Sequence, residues 1–217
     1  MNSVDLAISD RVAWLTLNRP DRLNAIDESV MAEFEEHLDQ LEGNTEIRVV
    51  VIKGAGNSFC VGLDLDVLDR GFEDSDYFIQ ILNRLKDLLL RIENLSCPVI
   101  AAVDGIARAG GLELLLVCDI VIVTDTSQIG DNHTVFGVMP GGGATARLPK
   151  KIGDQNARDL IYSGRLLSGR QAVEVGLAVE SVPSSSLQTV TDQRVQELVD
   201  KPRECYAAVK RAILGGL

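Results

Sequence analysis

Hydrophobic positions in this chain form two patterns: short continuous runs, and runs spaced three and four residues apart. Val12-Ala13-Trp14-Leu15-Thr16-Leu17 is rich in β-branched and aromatic residues and ends in Asn18-Arg19-Pro20-Asp21, so a strand followed by a turn is predicted. Over 27–41, apolar side chains recur at Val30, Met31, Phe34, Leu38 and Leu41, the spacing of one helical face, with a cap near Asp27. Residues 48–54 are an apolar run that stops at glycine, as expected of a strand buried on both faces. A glycine-containing loop over 54–64 follows, then an amphipathic helix around 77–92. A second buried strand is expected at 98–103, ahead of Asp104-Gly105 and a glycine-rich turn at 109–111, and a third at 119–123. Pro140-Gly141-Gly142-Gly143 breaks the chain before a helical region from about Ala144. Further helices are expected near 154–163, 168–174, 186–199 and 202–214, with a short strand at 178–182. Strands alternating with helices predict an α/β layered fold with mostly parallel strands. No sequence repeat and no linker divides the chain.

Composition narrows the classes. With 217 residues, 46% of them apolar and 24% charged, the chain can bury a sizeable core as one compact domain, which excludes disorder and collagen-like repeats. The formal net charge of −11 argues against a nucleic-acid surface. The longest apolar stretches, 97–103 and 114–123, fall well short of the roughly 18 residues of a membrane span, and Asp119 breaks the second. Residues 1–5 carry neither a basic nor a long apolar segment, so no secretory signal and a cytoplasmic location are expected. Cys60, Cys97, Cys118 and Cys205 show no CxxC spacing, and His37 and His133 are the two histidines, so no zinc site is expected. The cysteines read as reduced, three of them in apolar surroundings.

Two glycine-containing loops follow buried strands: Phe59-Cys60-Val61-Gly62-Leu63-Asp64 and Ala107-Arg108-Ala109-Gly110-Gly111-Leu112-Glu113. Ligands of α/β sheets gather at such strand ends. The second loop opens a helix, whose free N–H groups and dipole suit an anion or a developing oxyanion, with a second donor from the first loop. Glycine before a helix is also plain turn chemistry. Glu113 lies three residues after Gly110, so both belong to the first helical turn. It can serve as a cap or dipole partner, but a carboxylate in Gly-Gly-Leu-Glu-Leu-Leu-Leu-Val needs a partner or a function. His133 sits in Gly130-Asp131-Asn132-His133-Thr134, where a ring nitrogen oriented by Asp131 would make an acid/base group. No G-x-S-x-G, P-loop or G-x-G-x-x-G motif supports a hydrolase of the α/β type, a P-loop NTPase or a dinucleotide enzyme.

Taken together, the runs Asn18-Arg19-Pro20-Asp21-Arg22-Leu23-Asn24-Ala25, Phe59-Cys60-Val61-Gly62-Leu63-Asp64-Leu65, 98–105 leading to Gly110-Gly111-Leu112-Glu113 and Cys118-Asp119, and 137–145 followed by Arg147-Leu148 resemble the crotonase superfamily of enoyl-CoA hydratases and isomerases. The resemblance covers nearly the whole chain. It implies a crotonase-like single domain over 1–217: a spiral of ββα units to about 183 and flanking C-terminal helices over about 184–217. It also implies a homotrimer or hexamer and an acyl-CoA thioester substrate, with coenzyme A entering as part of that substrate and no other cofactor or metal. By resemblance, the N–H groups of Val61 and Gly110 form the oxyanion hole. Arg22 lies near the CoA phosphates, and the backbone of Cys60, Gly62, Leu63 and Asp64 cradles the adenine end. Glu113 matches the first catalytic glutamate of the hydratases, while His133 stands where the second is expected. Hydration stays possible with Glu113 as base and His133 as proton donor. Isomerisation, C–C bond hydrolysis and non-catalytic acyl-CoA binding are the alternatives. The C–C hydrolases carry an acidic residue where this chain has Gly142. The sequence ends at Gly215-Gly216-Leu217, so the lid segment usual in the family is expected to be missing, weakening water exclusion.

Overall fold

The computed structural model describes residues 2–215; the expectations resting on Met1 and on residues 216 and 217 lie outside them. The chain opens with β1 (Val4–Ser9), β2 (Val12–Leu17), α1 (Glu28–Gly43), β3 (Val49–Gly54) and β4 (Ser58–Cys60). It continues with α2 (Leu65–Glu73), α3 (Ser75–Glu93), β5 (Val99–Val103), β6 (Ile106–Arg108), α4 (Gly110–Leu116), β7 (Ile120–Thr124) and β8 (Gln128–Gly130). Then come α5 (Ala144–Ile152), α6 (Asp154–Ser163), β9 (Leu167–Ser168), α7 (Gly169–Glu174), β10 (Glu180–Val182), α8 (Leu187–Val199) and α9 (Arg203–Ile213).

Ten strands make two sheets among the described residues. The larger has the order β1-β2-β3-β5-β7-β10 and the smaller β4-β6-β8-β9. Only the hairpin β1–β2 and the pair β8–β9 are antiparallel. The hairpin turns through Asp10 and Arg11, both at positive φ (49° and 66°), the conformation a two-residue connection requires. From β3 to α5 the chain makes three circuits. Each lays one strand in the large sheet, the next in the small sheet, and then turns into helix. This is the spiral the family resemblance implies. The circuits share geometry rather than residues, so no sequence repeat accompanies them.

The apolar runs behave as their pattern predicts. Val50 and Ile52 of β3 face the main core with Phe34 and Leu38 of α1, whereas Val49 and Val51 face Val195 and Val199 of α8 on the other side of the sheet. The Asp27 carboxylate caps α1 by accepting the Val30 N–H at 2.9 Å. The expected helices and large-sheet strands are all present, with ends shifted by a residue or two. The pattern does not anticipate β1, α2 or the small-sheet strands. β4, β6 and β8 are three residues each, too short to show a period, and α2 buries only Val67 and Gly71.

Candidate active site

Because β4, β6 and β8 run parallel, their C-terminal ends lie side by side, and the chain leaving each contributes to one place. Val61 follows β4, Ala109 and Gly110 follow β6, and Asp131 to His133 follow β8. Ala109 takes φ 47°, ψ −118°, a conformation rare for an L-residue, and its N–H donates to the Gly130 carbonyl at 3.1 Å. That strained residue swings the chain straight into α4. Gly111 is forced by packing: a β-carbon there would stand 2.0 Å from the Cys60 carbonyl oxygen, so only glycine lets the first turn of α4 lie on β4.

Glu113 sits in that first turn and is 1% exposed. Its Oε1 accepts the Ala144 N–H at 3.1 Å, which ties it to the start of α5. Its Oε2 lies 3.8 Å from Nε2 of His133. Burial pushes the Glu113 carboxyl above its ordinary value, against the pull of the His133 charge and of backbone N–H groups at Ala144 and Gly142. His133 opens a short 3₁₀ turn, His133–Phe136, after Asn132 at φ 57°. Its Nδ1 is 3.0 Å from Oδ1 of Asp131, and the same oxygen accepts the His133 backbone N–H at 3.2 Å. Burial works to lower the His133 pKa, but the Asp131 hydrogen bond and the Glu113 charge outweigh it and raise the net value.

These groups border a cavity of about 380 Å³. Val61, Gly110, Glu113 and His133 line it together. Phe78, Leu82 and Leu85 of α3 and Phe136, Val138 and Met139 form apolar walls. Asp21, Arg22, Leu63 and Asp64 stand with them. Arg22 is more than half exposed and lies 3.9 Å from Asp64 and 3.4 Å from Asp66. Asp64 is itself held by Arg19 at 3.0 Å.

The structure therefore brings together Arg22, Val61, Leu63, Asp64, Gly110, Glu113 and His133. Cys60 and Gly62, expected beside them, do not border this cavity. Cys60 is fully buried, its thiol is pushed up to about 12 by burial, and its Sγ accepts the Gly62 N–H at 3.4 Å. The last strand residue points into the core, and that bond turns the Gly62 N–H inward with it. The sequence reading missed the contacts of Gly142 and Ala144 with Glu113, because they lie far along the chain and carry no local signal.

Two sheets wound as a spiral, with a buried carboxylate at the head of α4 facing an apolar slot, define a crotonase-fold enzyme. The chain belongs to the enoyl-CoA hydratase/isomerase family, whose description, Enoyl-CoA hydratase/isomerase, matches residues 7–215. It is similar to the enoyl-CoA isomerase/hydratase fer4 of Mycosarcoma maydis, at 34% identity over 94% of this chain and 77% of that protein. The crystal structure of an enoyl-CoA hydratase from Bacillus anthracis superposes with a TM-score of 0.93 at 31% identity, covering 99% of this chain and 83% of the other. An enoyl-CoA hydratase of Mycobacterium smegmatis gives 0.93 at 28% identity, over 99% and 83%.

Proposed function

We propose that the protein hydrates a 2-enoyl-CoA. The observation carrying this reading is the disposition of Glu113: Oε1 is anchored by the Ala144 N–H, while Oε2 converges with His133 Nε2 across 3.8 Å. A water oxygen at about 2.8 Å from each fits above that gap. Glu113 takes a proton from the water as its oxygen bonds to Cβ, and His133 Nε2 delivers a proton to Cα. Transfer of the proton from Glu113 to His133 then restores the pair, so one water is added overall. The charge that develops on the thioester oxygen is received by the N–H groups of Val61 and Gly110. Arg22 meets the CoA phosphates, with Leu63 and Asp64 at the adenine end, and the apolar walls take the acyl chain.

Gly142 weighs against C–C hydrolysis that relies on an acid at that position, because even a β-carbon there would meet Glu113 Oε2 at 2.5 Å. Double-bond isomerisation is the second reading, favoured by the single anchored carboxylate, which can carry a proton between carbons. The exposed apolar side chains of Phe72 and Ile79 support assembly with further copies of this chain, as a homotrimer or hexamer. No helix among the described residues is long and apolar enough to cross a membrane, which is compatible with work in the cytoplasm on fatty acyl groups. Loss of the enoyl-thioester absorbance with crotonyl-CoA and a longer 2-enoyl-CoA tests the proposal. A 3-enoyl-CoA as sole substrate tests the isomerase reading. Native protein inert towards both sinks hydration and isomerisation together.

A further inference from the structure

We propose that Asp131 is the positioning residue that lets a histidine work where the hydratases place a second glutamate, by fixing which nitrogen of His133 faces the substrate. The inference rests on the hydratase reading for its kinetic consequences and on geometry alone for its structural ones.

Oδ1 of Asp131 accepts two bonds from one residue, the backbone N–H of His133 at 3.2 Å and its ring Nδ1 at 3.0 Å. Two bonds from one residue to one oxygen fix both the position of the His133 backbone and the rotation of its ring. The left-handed Asn132 between them is what bends the chain back far enough for both to reach. A carboxylate offers no proton, so the proton lies on Nδ1 in the neutral ring. Nε2 is then the nitrogen that gains and loses a proton, and it is the one 3.8 Å from Glu113.

Asp131 is 0% exposed, and its Oδ2 is buried with no hydrogen-bond partner. Burying an acceptor without a partner is costly, and such groups persist where the charge has work to do. Among the described residues, Glu113 from α4 and Asp131 are the carboxylates within 4 Å of the ring. Asp21, Arg22 and Asp64 also line the cavity, and Arg108 of β6, in register with Gly130 of β8, donates its guanidinium to the Gln128 side-chain oxygen at 2.9 Å. On α6, which packs against the 3₁₀ turn, Arg158 is paired with Asp154 and Asp159 with Arg165. The charge that supports protonated His133 therefore comes from Asp131 and Glu113.

Asp131→Asn preserves shape and removes charge. Nitrogen NMR of the imidazole groups in the intact protein reads His133 directly, because the chain has two histidines and His37→Gln assigns them. The neutral native ring is expected with its proton on Nδ1, and its titration midpoint is expected to fall in Asp131→Asn. In hydration assays kcat should drop about tenfold or more, its alkaline limb should move to lower pH, and KM should change less than about twofold. In a His133→Gln background, Asp131→Asn should cost less than about twofold, because the group it positions is gone. A neutral native ring protonated on Nε2, or a midpoint unmoved by Asp131→Asn, overturns the proposal. So does an equal loss of kcat in the native and His133→Gln backgrounds. The NMR arm needs no substrate, so an inert native protein defeats the hydratase reading and leaves Asp131 decided on its own.

Discussion

Gly142 lies so close to Glu113 that a β-carbon on it would stand 2.5 Å from Oε2 and 2.8 Å from a methyl carbon of Leu89. The glycine turn before α5 thus sets the space in which the carboxylate sits. In Gly142→Ala either the turn or the carboxylate must move. We expect kcat to fall roughly a hundredfold, since a displacement of about 1 Å at a reacting group is worth that much. KM should hardly change. Overpacking should lower unfolding stability by about 1–3 kcal/mol, read from denaturant titration. A fully active Gly142→Ala would show that Glu113 does not need its present position.

Glu113→Gln separates the charge from the shape. The amide oxygen can still accept the Ala144 N–H, so the circular dichroism spectrum should match that of the native protein. The rate of hydration should fall by about 10²–10⁴. Retention of the native rate would remove Glu113 from the chemistry.

The pH profile of kcat is expected to be bell-shaped. Hydration needs Glu113 ionised, so activity rises as its proton leaves, and burial sets that limb above the ordinary carboxylate range. It also needs His133 protonated, so activity falls as that proton leaves, and the charges of Asp131 and Glu113 set the second limb above the ordinary histidine value of about 6.5. The two groups face each other, so the midpoints belong to the pair. A rate that climbs without a maximum to pH 9 would show that protonated His133 is not required.

Arg22→Ala should act on binding alone. The side chain is more than half exposed, and its nearest carboxylates are 3.4 and 3.9 Å away. Removing it should raise KM for the CoA thioester about fivefold, in line with roughly 1 kcal/mol for an exposed charge contact, and the difference should shrink at high salt. An unchanged KM at low salt would place the phosphates elsewhere.

Much of this protein can be read along the chain, because the properties concerned are local. The 3–4 spacing of Val30, Met31, Phe34, Leu38 and Leu41 and the Asp27 cap specify α1. The runs at 48–54 and 98–103 specify strands covered on both faces. A glutamate among leucines at the head of α4 marks Glu113 as a residue with a role, and the ordered motifs place the chain in its family. Tertiary structure decided the rest, because it depends on groups that meet only in the fold. Three-residue strands exist only where neighbours complete their hydrogen bonds, so the small sheet has no sequence signal. The inward turn of Cys60 and Gly62 follows from how β4 ends against the core. The grip on Glu113 spans 31 positions to Ala144, and the approach of His133 Nε2 to Glu113 joins α4 to the chain after β8. A residue's type and spacing announce that it can do chemistry, but its angle and its partner are set by the packing of distant segments.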